Sequence, residues 1–218
     1  MPEKPATTKG ANRRSPPFSR LYPILDASLE TLDTLTLGVR ALARAGCRLV
    51  QFRAKDLSGE EFHRWARAAR EVSRECGIRL VVNDRADVAL LVGADGVHLG
   101  QDDLSPEGAR KVLGVSAILG LSTHHVDEAR RAEAEPVDYV AIGPIFETST
   151  KASGRSSLGV EGARAVRAVV RKPLVAIGGI TYETAPALLE AGIDGVAVIS
   201  ALKTGEDLES LARKWMAL

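Results

Sequence analysis

The sequence of 218 residues predicts an α/β fold of the (β/α)8 TIM-barrel class. Three observations predict it. From Leu21 onward, eight short apolar runs alternate with amphipathic stretches. The runs are almost continuously apolar, as in parallel strands that are covered on both faces. Each run also ends in a polar or glycine-rich cluster, and barrels of this class carry their active sites at the strand ends.

The predicted strands are short and aliphatic: Tyr22–Leu25, Arg48–Phe52, Leu80–Val82, Gly96–His98, Ala117–Leu121, Tyr139–Ile142, Leu174–Ile177 and Val196–Ile199. The stretches between them carry apolar residues at three- and four-residue spacing, which predicts helices. These helices are Thr31–Arg44, Ser58–Cys76, Ala86–Val92, Pro106–Leu113, Val126–Ala134, Gly162–Val170, Tyr182–Ala191 and Asp207–Trp215.

Capping residues support these boundaries. Ser58 with Glu61 forms a capping-box pattern. Ser105 precedes a proline at the first helical position. Glycines that end helices before the next strand are Gly46, Gly77, Gly93 and Gly192. A doubly wound open sheet is the main alternative, but it usually has fewer strands and a glycine-rich first turn. The turn Asp26-Ala27-Ser28 has no glycine, so the barrel is favoured.

Composition predicts one domain. The chain is 45% apolar and 4% aromatic, enough for a single aliphatic core. Residues 1–19 have few large apolar side chains and are predicted to be a disordered, inert tail, with a transit-type leader as the less favoured alternative. Residues 20–218 form the predicted barrel domain.

Charge and hydropathy exclude some partners. Residues 1–20 hold five Lys/Arg and one acid, which leaves 24 basic and 27 acidic residues in the remainder. This mildly acidic balance argues against nucleic-acid binding. No stretch approaches the length of a membrane span. Cys47 and Cys76 lack CxxC spacing, which fits packing thiols in the reducing cytoplasm.

Two acids follow neighbouring predicted strands. Asp84 comes after the third strand, and Asp103 lies just beyond the fourth. Adjacent barrel loops converge, and two carboxylates with substrate oxygens and water are a common Mg2+ site. Asp84 alone would be read as a helix N-cap. Its pairing with Asp103, beside Asn83, favours the metal.

Cationic residues follow the second and sixth strands. Gln51, Arg53 and Lys55 alternate, so they are predicted to point the same way, and an inward-pointing Arg needs an anion. Lys151 lies beside Thr148 and Thr150 in residues 143–160, a stretch typical of lids over phosphorylated substrates.

The last two strand ends are uncharged. Gly178-Gly179 follows the seventh strand and Ile199-Ser200 ends the eighth. Loops seven and eight of barrels often bind phosphate through backbone N–H groups, although a purely structural Gly-Gly turn is the alternative. The sequence thus predicts a cationic, metal-assisted diphosphate site and a neutral monophosphate site on one face. No Cys or Ser nucleophile lies beside an evident base.

Six motifs together resemble one family, the thiamine-phosphate synthases. They are Gln51-Phe-Arg-Ala-Lys55, Val82-Asn-Asp-Arg85, Gly96-Val-His-Leu-Gly-Gln-Asp-Asp103, Gly120-Leu-Ser122, Gly143-Pro-Ile-Phe-Glu-Thr-Ser-Thr-Lys151 and Ala176-Ile-Gly-Gly-Ile180. The resemblance extends from Leu21 nearly to the C-terminus. It implies the coupling of 4-amino-5-hydroxymethyl-2-methylpyrimidine diphosphate to a thiazole phosphate, with release of diphosphate.

The resemblance also implies residue roles. Asp84 and Asp103 would bind Mg2+. The pyrimidine diphosphate would be held by Gln51, Arg53, Lys55, Asn83 and Lys151, with Ser122 on the pyrimidine. The thiazole phosphate would contact Thr148, Thr150, Gly179, Ile199 and Ser200. Ser122, Lys151 and Arg53 are the expected catalytic residues.

Other functions remain open at this stage. A thiazole tautomerase with a histidine acid/base, or a non-catalytic regulator that binds thiamine precursors, is the alternative, because His124 and His125 occupy the fifth loop. A phosphosugar isomerase would need an acid/base pair that the sequence lacks. The sequence assigns no role to His98, His124 or His125, and it leaves open homo-oligomer formation and whether the thiazole is carboxylated.

Overall fold

The computed structural model describes residues 16–148 and 156–218. Eight parallel strands close into a barrel in sequence order, with the last strand paired to the first. The strands are β1 (Leu21–Asp26), β2 (Leu49–Arg53), β3 (Arg79–Asn83), β4 (Gly96–Leu99), β5 (Ile118–Thr123), β6 (Tyr139–Ile142), β7 (Leu174–Ile177) and β8 (Gly195–Val198). The predicted (β/α)8 class is confirmed.

A helix follows each strand. The helices are α1 (Leu32–Arg44), α2 (Gly59–Cys76), α3 (Ala86–Val92), α4 (Pro106–Leu113), α5 (Val126–Ala134), α6 (Gly159–Val169), α7 (Ala185–Glu190) and α8 (Leu208–Met216). Short 3-10 helices that the sequence did not predict lie at Ala27–Leu29 and Ser200–Leu202. The predicted bounds of α3, α4 and α5 are confirmed.

Helices α1, α2 and α8 start one residue later than predicted, and α6 and α7 start three residues from the predicted position. Helix α7 begins at Ala185 because Thr181 and Thr184 form a turn, in which the Thr181 backbone N donates to Thr184 Oγ1 at 2.9 Å. Helix α6 begins three residues before the predicted Gly162. The backbone N of Gly159 donates to the carbonyl of Ile145 at 2.8 Å, which holds the start of α6 against the loop after β6.

The buried residues form two groups. The larger lies between the strands and the helices, and its members are mostly Leu, Val and Ala. The smaller fills the inside of the barrel and includes Tyr22, Ile24, Leu49, Val81 and Tyr139. Aliphatic packing on both faces of every strand explains why the strand sequences do not alternate.

Phe18 closes the bottom of the barrel, although it lies in the stretch predicted to be a tail. Its ring is fully buried, stacks on Tyr22 at 5.7 Å between ring centroids and meets the Tyr139 ring edge-on at 5.4 Å. Arg48 donates to its carbonyl at 3.1 Å, and Arg79 donates to the carbonyl of Pro17. The packed unit therefore begins before the predicted boundary at residue 20.

An aspartate ties three of the helix-to-strand junctions in the same way. At each junction, one carboxylate oxygen of the aspartate accepts two hydrogen bonds. One comes from an arginine on an even-numbered helix, and the other comes from the backbone N–H of the first or second residue of an odd-numbered strand. The three sets are Asp95 with Arg70 (2.6 Å) and Leu80 N (2.8 Å), Asp138 with Arg110 (2.7 Å) and Leu119 N (2.9 Å), and Asp194 with Arg167 (2.9 Å) and Leu174 N (2.8 Å). These bonds anchor α2, α4 and α6 to the amino ends of the strands.

Candidate active site

A cavity at the carboxyl ends of the strands holds six of the predicted site residues. It encloses about 840 Å3, counting space open to solvent. The predicted residues that line it are Gln51, Arg53, Asn83, Ser122, Thr148 and Ile199. Its lower wall is formed by residues inside the barrel, among them Tyr22, Ile24 and Val175. The site is thus built on the ends of strands, as the sequence predicted.

Arg53 meets a carboxylate that the sequence analysis had not assigned to the site. Its guanidinium forms an ion pair with Asp26, whose side chain is only 1% exposed. Asp26 also accepts from the backbone N and the hydroxyl of Ser28, at 3.0 and 2.7 Å. The register pairs Asp26 with Arg53 on adjacent strands, so an acid at the end of the first strand was the available signal.

The ion pair also sets the ionisation of Asp26. Burial by itself raises the pKa of this carboxyl, but the hydrogen bonds from Ser28 and the guanidinium of Arg53 outweigh it, so its pKa lies below the usual range. Asp26 is therefore ionised near neutral pH, and it holds Arg53 at the cavity wall.

Lys55, Asp84 and Asp103 converge beside the cavity. Lys55 lies just past the end of β2, and its ammonium forms an ion pair with Asp84. Asp103 accepts from the backbone N of Gly100 at 2.6 Å. Partial burial, together with the neighbouring Asp84 carboxylate, raises the pKa of Asp103. The two acids are thus close enough to repel.

Asp84 also has an unusual backbone. Its φ is 63°, and it is the one described residue other than glycine with a positive φ. Such a conformation costs free energy and is most often kept where function requires it. The N-cap position of α3 is Arg85, and no side chain caps that helix. Asp84 is therefore not the N-cap residue of α3, which was the alternative interpretation.

Two adjacent carboxylates suit a hard divalent cation. Within residues 16–148 and 156–218, no group of three or more His, Cys, Asp or Glu residues could hold a metal. An ion bound by Asp84 and Asp103 would thus take its other ligands from substrate and water, as Mg2+ commonly does. The donor set therefore fits the predicted ion.

Ser122 and Gln51 each bond to a buried aromatic residue. Ser122 Oγ lies 2.8 Å from Nε2 of His98, and Gln51 Nε2 donates to the hydroxyl of Tyr22 at 2.9 Å. His98 and Tyr22 are buried inside the barrel. Sequence reasoning gave neither of them a role, because their partners lie on strands distant in sequence.

The fifth loop brings His124 to the cavity wall with an acid behind it. Glu128 Oε2 accepts from the backbone N of His124 at 2.7 Å and lies 2.9 Å from its Nδ1. Burial raises the pKa of Glu128, but the hydrogen bonds from His124 outweigh it, so this pKa lies below the usual range. The more exposed His125 lies 3.1 Å from the other carboxylate oxygen.

A second cavity adjoins the first at the ends of the seventh and eighth strands, which contribute no charged residue to it, although Glu147 from the loop after β6 lines it too. It encloses about 830 Å3, counting space open to solvent, and Thr148, Gly179, Ile199 and Ser200 line it. All four were predicted to contact the thiazole phosphate. Thr148 and Ile199 line both cavities, so the two sites are contiguous. The remaining predicted residues, Thr150 and Lys151, lie outside the described residues.

The structure gives a steric reason for the glycine at position 179. Its φ is +64°, and a Cβ there would lie 2.3 Å from the carbonyl oxygen of Glu147. The position that a Cβ would take is therefore occupied by protein backbone. Gly179 can still offer its N–H to the second cavity, which it lines.

Comparisons with known proteins identify the family of the chain. The family model for thiamine monophosphate synthase matches residues 21–202. A thiamine-phosphate synthase from Moorella thermoacetica is 46% identical over 176 residues, which cover 81% of this chain and 84% of the relative. One from Chlorobium luteolum is 45% identical over 204 residues, 94% of each chain.

Structural similarity points the same way. The solved structure of a thiamine phosphate pyrophosphorylase from Pyrococcus furiosus has a TM-score of 0.80 and 34% identity, covering 91% of this chain and 94% of that one. In the part of the chain that the structure describes, no helix has the length and apolar character to cross a bilayer. By family model, by curated relatives and by structure, the chain belongs to the thiamine-phosphate synthase family, whose members are transferases.

Proposed function

We propose that the chain couples 4-amino-5-hydroxymethyl-2-methylpyrimidine diphosphate to a thiazole phosphate in a Mg2+-dependent, dissociative reaction. The observation that carries the proposal is the division of the site. Arg53 and Lys55 lie on one side, each beside a carboxylate, and the other side is a cavity whose described lining contains no Lys or Arg and one acid, Glu147. A diphosphate needs several cations, whereas backbone N–H groups can hold a monophosphate.

The residues serve a reaction in which one bond breaks and one forms. The C–O bond to the diphosphate breaks, the leaving group takes the electron pair, and the thiazole nitrogen then attacks the stabilised pyrimidine carbocation. Mg2+ bound by Asp84 and Asp103 would neutralise charge on the diphosphate. Arg53, Lys55 and Asn83 would orient it, and Ser122 and Gln51 would hold the ring.

Lys151 and Thr150 complete the proposal from the sequence alone. Lys151 would meet the departing diphosphate, and Thr150 would join Thr148 at the thiazole phosphate. A cytoplasmic location is also proposed, and the unpaired state of Cys47 and Cys76 is compatible with it.

The test of the proposal is incubation with both phosphorylated substrates and Mg2+, followed by detection of thiamine phosphate. We expect stoichiometric thiamine phosphate and diphosphate. A tautomerase would alter the thiazole phosphate without coupling it, and a regulator would bind precursors without turnover. Either result would refute the synthase assignment.

The metal assignment has a separate test. Asp84→Ala and Asp103→Ala should each abolish coupling or sharply raise the Mg2+ concentration required, because one carboxylate is a poor Mg2+ site. Asp102→Ala, which removes the carboxylate next to Asp103, is the matched control. Calorimetric titration of Mg2+ in the presence of diphosphate gives a readout independent of turnover. Unchanged Mg2+ dependence in both variants would exclude these ligands.

A further inference from the structure

Five side chains form a continuous line of hydrogen bonds through the inside of the barrel. Gln51 Nε2 donates to Tyr22 Oη at 2.9 Å, and Tyr22 Oη lies 2.8 Å from Tyr139 Oη. Tyr139 Oη lies 2.9 Å from Nδ1 of His98, and Nε2 of His98 lies 2.8 Å from Ser122 Oγ. We call these five residues the internal chain. It joins two strand ends, β2 and β5, that both line the cavity.

The barrel is built to let this chain pass. Gly120 lies between His98 and Tyr139 in the strand register. A Cβ at Gly120 would lie 2.1 Å from Tyr139 Cζ and 2.5 Å from His98 Nδ1. Any side chain at this position would therefore occupy the space of the tyrosine–histidine contact.

Once the first donor is set, the hydrogen bonds of the internal chain must all be donated in the same direction, from Gln51 toward Ser122. An amide nitrogen can only donate, so Gln51 gives a proton to Tyr22. The proton of Tyr22 then has Tyr139 as its acceptor among the described residues. Tyr139 in turn donates to Nδ1 of His98. In its neutral form, His98 therefore carries its proton on Nε2 and donates it to Ser122.

Burial keeps the two phenols in their donating form. It raises the pKa of Tyr22 to about 12 and raises the pKa of Tyr139 well above its ordinary value. Neither phenol ionises near neutral pH, so each always has one proton to give. A buried donor without an acceptor is destabilising, which favours the fully matched direction.

We infer that Gln51, acting through Tyr22, Tyr139 and His98, fixes Ser122 as a hydrogen-bond donor toward the substrate. The Ser122 oxygen accepts from His98, so its own proton points into the cavity. Under the proposed function, Ser122 then selects a ring nitrogen of the aminopyrimidine, which accepts, over the amino group, which donates. Tyr22, Tyr139 and His98 are positioning residues.

The direction can be read in the substrate-free protein. Long-range 15N–1H correlation spectra report which nitrogen of a histidine carries the proton, and His98→Asn assigns the signal among the four histidines. We expect the wild type to carry it on Nε2. A proton on Nδ1 would mean that the internal chain runs the other way, and it would overturn the inference.

The isosteric variant Gln51→Glu should reverse the direction of the hydrogen bonds in the internal chain. An ionised carboxylate can only accept, so at alkaline pH Tyr22 must donate to it, Tyr139 to Tyr22, and His98 Nδ1 to Tyr139. The proton of His98 should therefore move from Nε2 to Nδ1. In a Tyr139→Phe background, where the connection is cut, Gln51→Glu should leave the His98 proton unmoved. A His98 that keeps its Nε2 proton in the single variant would overturn the inference.

Kinetics provide the functional half of the test. Tyr139→Phe should lower kcat/KM for the pyrimidine diphosphate by about tenfold and leave KM for the thiazole phosphate unchanged. Tyr182→Phe, the same deletion at an exposed tyrosine outside the internal chain, is the matched control. Equal effects of the two variants would overturn the inference. Because the spectra need no substrate, failure of the proposed function would be seen separately.

Discussion

At the scale of the residue, the inward-pointing Arg53 forms an ion pair with one buried acid, Asp26. The sequence analysis expected Arg53 to meet a substrate anion, and the structure shows that Asp26 is already beside it. This pairing has a clear physical reason, since an unpaired guanidinium, here with 13% of its side chain exposed, would be costly before substrate binds. Arg53 thus keeps its position without losing access to the cavity.

The variant Asp26→Asn tests this account. In the wild type, the folded-state pKa of the Asp26 carboxyl is depressed. The contribution of this carboxyl to stability is therefore present above its unfolded-state pKa and is lost as the pH falls through its folded-state pKa. We expect Asp26→Asn to lower the free energy of unfolding by about 2 kcal/mol near pH 7. Urea denaturation as a function of pH measures it.

The pH dependence of the same measurements shows whether the lost stability comes from the charge of Asp26. The difference between wild type and Asp26→Asn should shrink at pH values below the folded-state pKa of Asp26, where the wild-type carboxyl is also uncharged. A difference that stays constant through the acid range would contradict the ion-pair account. Steady-state kinetics should also show a raised KM for the pyrimidine diphosphate, because Arg53 loses its anchor.

Strand-end residues were predictable because position on a parallel strand determines which end of the barrel they reach. Gln51, Asn83 and Ser122 all line the cavity for that reason. The partners of these residues were not predictable. His98 and Tyr139 meet only when β4 and β6 are placed on either side of Gly120, a relation that local spacing does not contain.

At the scale of the element, the loops after β6 and β7 are joined to each other. The backbone N of Ile145 donates to Ile177 at 2.9 Å, and that of Phe146 donates to Gly178 at 3.0 Å. The loop containing Thr148 is thereby fixed against the Gly178-Gly179 turn. The structural role of this Gly-Gly turn is therefore compatible with the predicted phosphate site, because the turn also lines the second cavity.

The variant Gly179→Ala should show the structural part of this role. Gly205, with a φ of +86° and nothing within 4 Å of an added Cβ, is the matched control. Gly205→Ala should cost about 1 kcal/mol for its backbone conformation alone. Gly179→Ala should cost about 1–3 kcal/mol more, because its methyl group overlaps the Glu147 carbonyl. Equal losses in thermal or urea unfolding would refute the overlap.

The aspartates at the helix-to-strand junctions also act at this scale. The sequence analysis read these junctions as helix ends, and the glycine part of that reading is confirmed by the left-handed Gly93. The contacts of the aspartates could not be predicted, because each carboxylate binds a helix residue and a strand residue that lie about 15–28 residues earlier in the chain.

The variant Asp194→Ala should weaken the attachment of α6. It leaves the Leu174 N–H and the largely buried Arg167 without this acceptor, so we expect a loss of about 2 kcal/mol in the free energy of unfolding. Asp127→Ala removes an aspartate from a surface pair with Arg130, whose side chains are 70% and 61% exposed, and should have almost no effect. Similar effects of the two variants in urea unfolding would contradict the anchoring role.

At the scale of the whole molecule, the barrel has a filled lower half and an open upper half. The interior residues Phe18, Tyr22 and Tyr139 pack together below the cavity, and the hydroxyls of the two tyrosines belong to the internal chain. Eight strand–helix units were predictable from periodicity. The closure by Phe18 was not, because a single aromatic residue in a polar stretch gives no periodic signal.

Phe18 should therefore contribute as a core residue. Replacing it with Ala removes a fully buried ring that contacts both tyrosines, and the closed barrel leaves few neighbours able to fill the space. We expect Phe18→Ala to lower the free energy of unfolding by about 3–4 kcal/mol. Leu37→Ala, a truncation at a largely exposed position, is the control and should have little effect. Urea denaturation of both variants gives the comparison. A loss for Phe18→Ala no larger than that for Leu37→Ala would show that residue 18 does not close the barrel in solution.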